Sequence, residues 1–264
     1  MSKIICKNCG KMGHIYKNCK YPILSYGLIL FNEKNEILMI ERKNSITYIE
    51  FLRGKYTLDN LDYLKILFNR MSKSEKFKIK NHNFKYLWDD LWLFKEKLHK
   101  NVLNEYERSE TNFNKLKNGI IINDESINLE YLLKTNTNYN ENEWELPKGR
   151  RNINEKDIET SIREVKEETN LTENDYKIKK NIKFEETFKG INNITYKHIY
   201  YLAKLNKDIK LEINKDNKQQ LIEVNNLKMF NKLDCLNKIR KYNKHKIDLL
   251  NNVFFFLENN FDKL

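Results

Sequence analysis

The chain has 264 residues, 40% of them apolar and 12% aromatic, which is enough for one main globular core with an appendage or insertion and excludes a disordered protein. A formal net charge of +12 favours an extended anionic partner over a small neutral one, although it serves solubility equally well. No apolar run approaches the roughly eighteen residues a membrane span needs and no leader pattern occurs, so a soluble, non-secreted, cytoplasmic protein without a membrane partner is expected.

Residues 1–20 hold three of the four cysteines, in the order Cys6-x2-Cys9-x4-His14-x4-Cys19, with Gly10 and Gly13 between them. Three thiolates and one imidazole fill a tetrahedral Zn²⁺ site, so the ion is structural, and binding it supplies folding energy that so short a segment lacks. Such clustering points to a metal site in a reducing compartment rather than a disulfide framework. The segment resembles the retroviral-type zinc knuckle, which implies a grip on single-stranded nucleic acid. Lys3, Lys7, Lys11, Lys17 and Lys20 would serve phosphates, and Ile15 and Tyr16 would serve bases. A zinc-stabilised cap or protein-contact module is the alternative. Removing residues 1–20 is expected to weaken RNA binding and spare the catalytic site.

Ser25–Phe31 and Ile37–Glu41 are apolar runs around a polar turn and predict a strand hairpin. Tyr48–Tyr56 reads as a strand leading into a turn. From 57 to 118 the period becomes helical: Leu61, Leu64, Phe68 and Met71 share one face, and Leu87, Leu91, Phe94, Leu98 and Val102 another. Lys73, Lys76, Lys78, Lys80 and Lys85 offer this region a basic surface for RNA or simply a solvated loop, and Trp88 and Trp92 read as core. The stretches 120–122 and 129–133 are candidates to re-enter the sheet, and 135–142 is a polar loop.

The chemistry concentrates between Gly149 and Leu171. Glu164, Glu167 and Glu168 stand at i, i+3 and i+4, so a helix puts three carboxylates on one face. Their repulsion is relieved by a cation, and hard oxygen ligands suit Mg²⁺ or Mn²⁺. Ile158, Ile162 and Val165 give the same helix an apolar stripe. Lys148, Arg150 and Arg151 flank Gly149 and would hold phosphates.

Beyond it, 183–188 and 195–205 read as strands, with His198 a sheet residue, and 207–218 as a charged linker or hairpin tip. A closing helix over 233–257, broken near Tyr242-Asn243, carries Leu236, Ile239, Ile247, Leu250, Phe254 and Leu257 on one face. Lys238, Arg240, Lys241, Lys244 and Lys246 make part of it basic, and the 253–257 apolar run suits a core or a partner-facing patch.

Gly149-x5-Glu155-x7-Arg163-Glu164-Val165-x-Glu167-Glu168-x-Asn170-Leu171 resembles the Nudix box, departing only where Asn170 replaces a glycine. Asn is the usual substitute in the left-handed conformation after a helix. The resemblance implies an α+β fold, a Nudix α/β/α sandwich with a mixed sheet. It divides the chain into a knuckle (1–20), a first Nudix part (21–56), a helical insertion (57–118) and a second Nudix part (119–264). It makes Glu155 and Arg163 a structural ion pair, and sets Gly27 close to the Nudix helix. The Trp144–Gly149 approach, the insertion and Arg53–Tyr56 resemble, across about 21–260, the mRNA-decapping Nudix proteins of large cytoplasmic DNA viruses. That implies capped mRNA as substrate, a host cytoplasmic site, shutoff of transcripts, and Glu223, Glu167 or Glu168 as base. Hydrolysis of free nucleotides or diphosphoinositol polyphosphates, and non-catalytic RNA binding, are the alternatives.

Overall fold

The computed structural model describes residues 4–92, 100–122, 124–206 and 209–260; Lys3, Phe94, Leu98 and Lys207 lie outside the described residues. The chain forms two compact units, one of 1–42 with 144–264 and one of 43–143.

The first unit opens with the Cys/His segment, closed by an Ile5–Met12 bridge and a 3-10 turn at Tyr16–Asn18. β1 (Ile23–Phe31) and β2 (Ile37–Arg42) follow as the expected antiparallel hairpin. Asn32 Oδ1 accepts the N–H groups of Lys34 and Glu36, each at 2.9 Å, and Asn35 takes φ 57°. That is turn chemistry in which Asn replaces glycine.

The second unit is helical. Tyr48–Tyr56 is not a strand: α1 spans Ile46–Leu52, because Tyr48, Phe51 and Leu52 bury one helical face and Ser45 accepts the Tyr48 N–H at its start. α2 (Leu61–Arg70), α3 (Lys73–Asn81), α4 (Phe84–Leu91) and α5 (Lys100–Asn118) follow. β3 (Ile120–Ile122) pairs with β4 (Glu125–Ile127) in a separate two-stranded ribbon, and α6 covers Leu129–Leu133. The 120–133 stretch therefore does not re-enter the main sheet. The inserted unit exceeds the expected 57–118 at both ends, since α1 packs on α2 and α4, and α6 on α2, α3 and α5. Phe51 meets Phe68 and Phe113 at ring distances of 4.8 and 6.1 Å, and Trp88 is buried beside Phe84.

The lysine run is only partly a surface. Lys76 is buried and donates to Thr135 Oγ1 at 2.9 Å, with burial lowering it to about 8. Lys78 and Lys85 pair with Asp90 and Asp89 at 2.9 and 2.6 Å.

Back in the first unit, β5 (Trp144–Glu145) joins β2, and β6 (Lys148–Gly149) joins β1. α7 (Asp157–Thr169), β7 (Tyr176–Lys189), β8 (Thr195–Leu205), α8 (Lys218–Glu223), β9 (Val224–Phe230), α9 (Lys232–Lys238) and α10 (Lys244–Asn260) complete it. The sheet runs β5-β2-β1-β8-β7, with β6 on β1, β9 on β2, and β8 parallel to β1.

β1 is buried on both faces, which explains its unbroken apolar run. Leu28 and Leu30 pack with Val165 of α7; Ile29 and Phe31 pack with Leu250, Val253 and Phe254 of α10. Each such buried side chain contributes about 1.5–3 kcal/mol. The result is an α/β/α sandwich on a mixed sheet. The helix break falls between α9 and α10, and the 253–257 run is core apart from exposed Phe255.

Arg240 and Lys246, read as a basic surface, are buried. Lys246 Nζ donates to Tyr200 Oη at 2.7 Å and to Glu186, which also meets His198 Nδ1 at 2.8 Å. At Gly27 the close neighbour is the Pro147–Lys148 turn rather than the Nudix helix: an added Cβ would lie 2.1 Å from the Pro147 carbonyl oxygen. None of the helices among the described residues is long and apolar enough to cross a membrane.

Candidate active site

α7 carries the box. Its core face is anchored by fully buried Val165, and it ends at Asn170 with φ 62°, a left-handed cap that accepts asparagine where the box has glycine. Arg163 joins the box loop to the helix. Its Nε and Nη2 donate to Glu155 at 2.7 and 3.1 Å, and Nη2 donates to the Arg150 carbonyl at 2.8 Å. Its Nη1 stands between Glu164 Oε1 at 2.7 Å and Glu167 Oε2 at 2.9 Å.

β6 brings the phosphate-side cations to the same helix. The Lys148 backbone N–H donates to Glu168 Oε2 at 2.8 Å, and Lys148 Nζ lies 2.5 Å from Glu145 Oε2. Glu145 also binds Arg42, at the β2 bulge. Gly149 is needed here for space: a Cβ would sit 2.1 Å from the Glu164 carboxylate carbon. Of the three basic residues beside Gly149, Arg150 is exposed, whereas Arg151 is drawn into a structural network. Arg151 donates to the Glu155 carbonyl at 3.0 Å, to Tyr26 Oη at 3.2 Å and to Asp157.

α8 contributes Glu223. Gln220 Nε2 donates to the Glu168 carbonyl at 3.1 Å, and Asn217 Nδ2 to that of Glu167 at 3.2 Å. These bonds tie α8 to the end of α7, so Glu223 shares a cavity of about 480 Å³ with Lys148, Arg150, Arg151, Glu164, Glu167 and Glu168.

The electrostatics divide the acids. Burial, partly offset by Arg163, lifts Glu164 to about 7. Burial lifts Glu168 well above the usual range against Lys148, and raises Glu223 against Arg42. Glu145 goes the other way: against its burial, Lys148 and Arg42 hold it well below. The cavity thus has a crowded floor that resists full ionisation and a rim of fixed cations. Glu164, Glu167 and Glu168 line this cavity together, with Arg163 Nη1 between the first two; among the described residues a tight cluster of metal-ligand atoms forms at Cys6, Cys9, His14 and Cys19 and not at these glutamates.

The Cys6, Cys9, His14 and Cys19 ligand atoms lie within 4.8 Å of one another, which fits a four-coordinate metal. Cys9 Sγ is 3.4 Å from His14 Nε2, and Asn8 Nδ2 donates to Cys19 Sγ at 3.2 Å. Burial pushes the Cys19 thiol up, but hydrogen bonds from Asn8 and His14 bring it down to about 6.

Sequence reasoning missed Arg42 and Glu145, and that Lys7, Asn8 and Tyr16 of the Cys/His segment line the same cavity. A charged pair at the meeting ends of two apolar strands was the available signal for the first two.

An α/β/α sandwich whose central helix presents this glutamate series is the arrangement of a Nudix protein. The NUDIX domain family matches residues 118–245. The chain is 30% identical over 180 residues to mRNA-decapping protein g5R of African swine fever virus, covering 66% of this chain and 68% of that protein. This chain belongs to the Nudix family. It is also 29% identical, over an alignment of 350 positions, to a protein of Acanthamoeba polyphaga mimivirus provisionally described as mRNA-decapping, covering 97% of this chain and 95% of that one. Among solved structures, a binary complex of the C. elegans Ap4A hydrolase aligns at TM-score 0.45 and 14% identity, over 89% of this chain and 98% of that one.

Proposed function

We propose that this protein removes the 5′ cap of mRNA, cutting the triphosphate bridge to release a methylated guanosine diphosphate and leave 5′-monophosphate RNA. The observation that carries this reading is one cavity that joins four carboxylates to a cationic rim, in a chain related to a viral decapping protein. Mg²⁺ or Mn²⁺ held by Glu164, Glu167 and Glu168 would supply charge neutralisation on the bridging phosphates and a more acidic water.

The chain's own side chains do the rest. Exposed Arg150 binds the outer phosphates, while Lys148, fixed by Glu145, sets its ammonium at the cavity wall. Glu223 is favoured over Glu167 and Glu168 for removing the water proton, because Arg163 binds Glu167 and the Lys148 N–H binds Glu168. Arg163 and Glu155 act as a strut for the loop. Zn²⁺ in the Cys/His segment is structural, and the activity belongs in the cytoplasm, that of the host for a viral protein, where decapping would shut off transcripts.

The test is incubation of cap-labelled RNA with Mg²⁺ or Mn²⁺ and chromatography of the released nucleotide. Methylated guanosine diphosphate is expected; faster turnover of free nucleotides than of capped RNA would overturn the reading. Glu167→Gln is expected to abolish cleavage and leave RNA retention intact.

A further inference from the structure

The Cys/His segment does not stand apart from the box. Lys7, Asn8 and Tyr16 line the same cavity as Gly149, Glu164 and Glu223. Asn8, 5% exposed, fastens the segment to the start of the sheet: its Nδ2 donates to the Pro22 carbonyl at 2.8 Å, and its Oδ1 accepts the Leu24 N–H at 2.9 Å. Gly10, at φ 72°, sits against the guanidinium of Arg151, where a Cβ would lie 2.3 Å from Nη1. Because Arg151 is itself bound to the Glu155 carbonyl and Tyr26, the segment rests on the box's own loop.

Tyr16 supplies the one aromatic ring among the described residues lining this cavity. It is 42% exposed beside the charged wall, on a turn that does not bury it. A cavity with acids for cations and a cationic rim for phosphates still needs a flat surface for the base attached to them. Base–aromatic stacking is the sequence-tolerant way to provide it.

We propose that Tyr16 is the stacking platform for a nucleobase at the capped 5′ end and Lys7 the partner of an adjacent phosphate. The Cys/His segment is then a wall of the catalytic cavity, not a separate tether for the RNA body. This rests on the decapping reading and adds the position of the base to it.

Full-length wild type, Tyr16→Ala, Tyr16→Trp and Lys7→Ala are titrated calorimetrically with a methylene-bridged cap dinucleotide, and their kinetics are followed on capped RNA. Tyr16→Ala is expected to weaken dinucleotide binding about 10-fold and raise KM to match, with kcat within about two-fold, and Tyr16→Trp to bind like wild type. Lys7→Ala is expected to show a smaller loss and a shallower salt dependence. Methylated guanosine diphosphate losing the same factor assigns the ring to the cap base; losing none assigns it to the first transcribed base. Wild-type dinucleotide binding by Tyr16→Ala, with loss confined to long RNA, overturns the proposal, as does no dinucleotide binding by wild type. A wild type that binds the dinucleotide but leaves capped RNA uncut refutes decapping alone.

Discussion

Gly149→Ala tests the cavity floor through a single methyl group. The added carbon would lie 2.1 Å from the Glu164 carboxylate carbon and Oε2 and 2.4 Å from Oε1. Ordinary contact is about 3.5 Å, so the carboxylate must retreat by about 1.4 Å. Retreat is opposed on two sides: Glu164 is held by Arg163 at 2.7 Å, and its neighbour Val165 is locked in the core. Overpacking of this kind costs about 1–3 kcal/mol, and a 1 Å displacement of a reacting group costs about 100-fold in rate. Urea denaturation and turnover of cap-labelled RNA read the two effects separately. Gly149→Ala is expected to lose about 100-fold in turnover and about 2 kcal/mol in stability. Adding Glu164→Asp, one methylene shorter, is expected to recover stability but not turnover. A singly substituted protein with turnover within about three-fold of wild type would refute the contact between Gly149 and the floor.

Three further outcomes follow from local features. Asn170→Ala, at φ 62°, is expected to cost about 1 kcal/mol in urea denaturation and Asn170→Gly nothing, whereas equal losses would contradict the left-handed cap. Burial lowers His198 to about 4, so the unfolded chain takes up its proton first on acidification, and about 3 kcal/mol of stability is lost as pH falls from about 6.5 through 4. Glu186, lowered to about 2 by Lys246 and His198 against its burial, adds loss below about 4.5; His198→Gln is expected to flatten the upper window and to weaken the lower one in part, and an unchanged slope in the upper window would remove His198 as its source. Cys19→Ser is expected to reduce bound zinc, measured by elemental analysis, from about one ion per chain to none and to expose residues 1–20 to protease; retention of the ion would exclude the four-ligand site.

What could be read from the sequence is what one element decides alone. The glutamate spacing of α7, the Asn170 cap, the alternation of β8 and the cysteine spacing are set within a turn or two of chain. What could not be read depends on distant partners. α1 has strand-like composition, and becomes a helix because Phe51 finds Phe68 and Phe113. Lys76 and Lys246 look like surface lysines, and are buried because Thr135 in one case, and Tyr200 with Glu186 in the other, accept their hydrogen bonds. Arg42 belongs to the site only because β2 and β5 pair, and Tyr16 only because Gly10 leaves room for Arg151.

The pairing of β2 with β5 has a consequence for how freely the inserted unit can change. Ile40 stands opposite Glu145 and Glu41 opposite Trp144, so the chain departs and returns on neighbouring strands. From the standpoint of the catalytic sheet, all of residues 43–143 take the place of a hairpin turn. The entropy of closing such a connection grows only as the logarithm of its length. Helices can therefore be lengthened, replaced or given new surfaces there while the glutamates of α7 keep their positions.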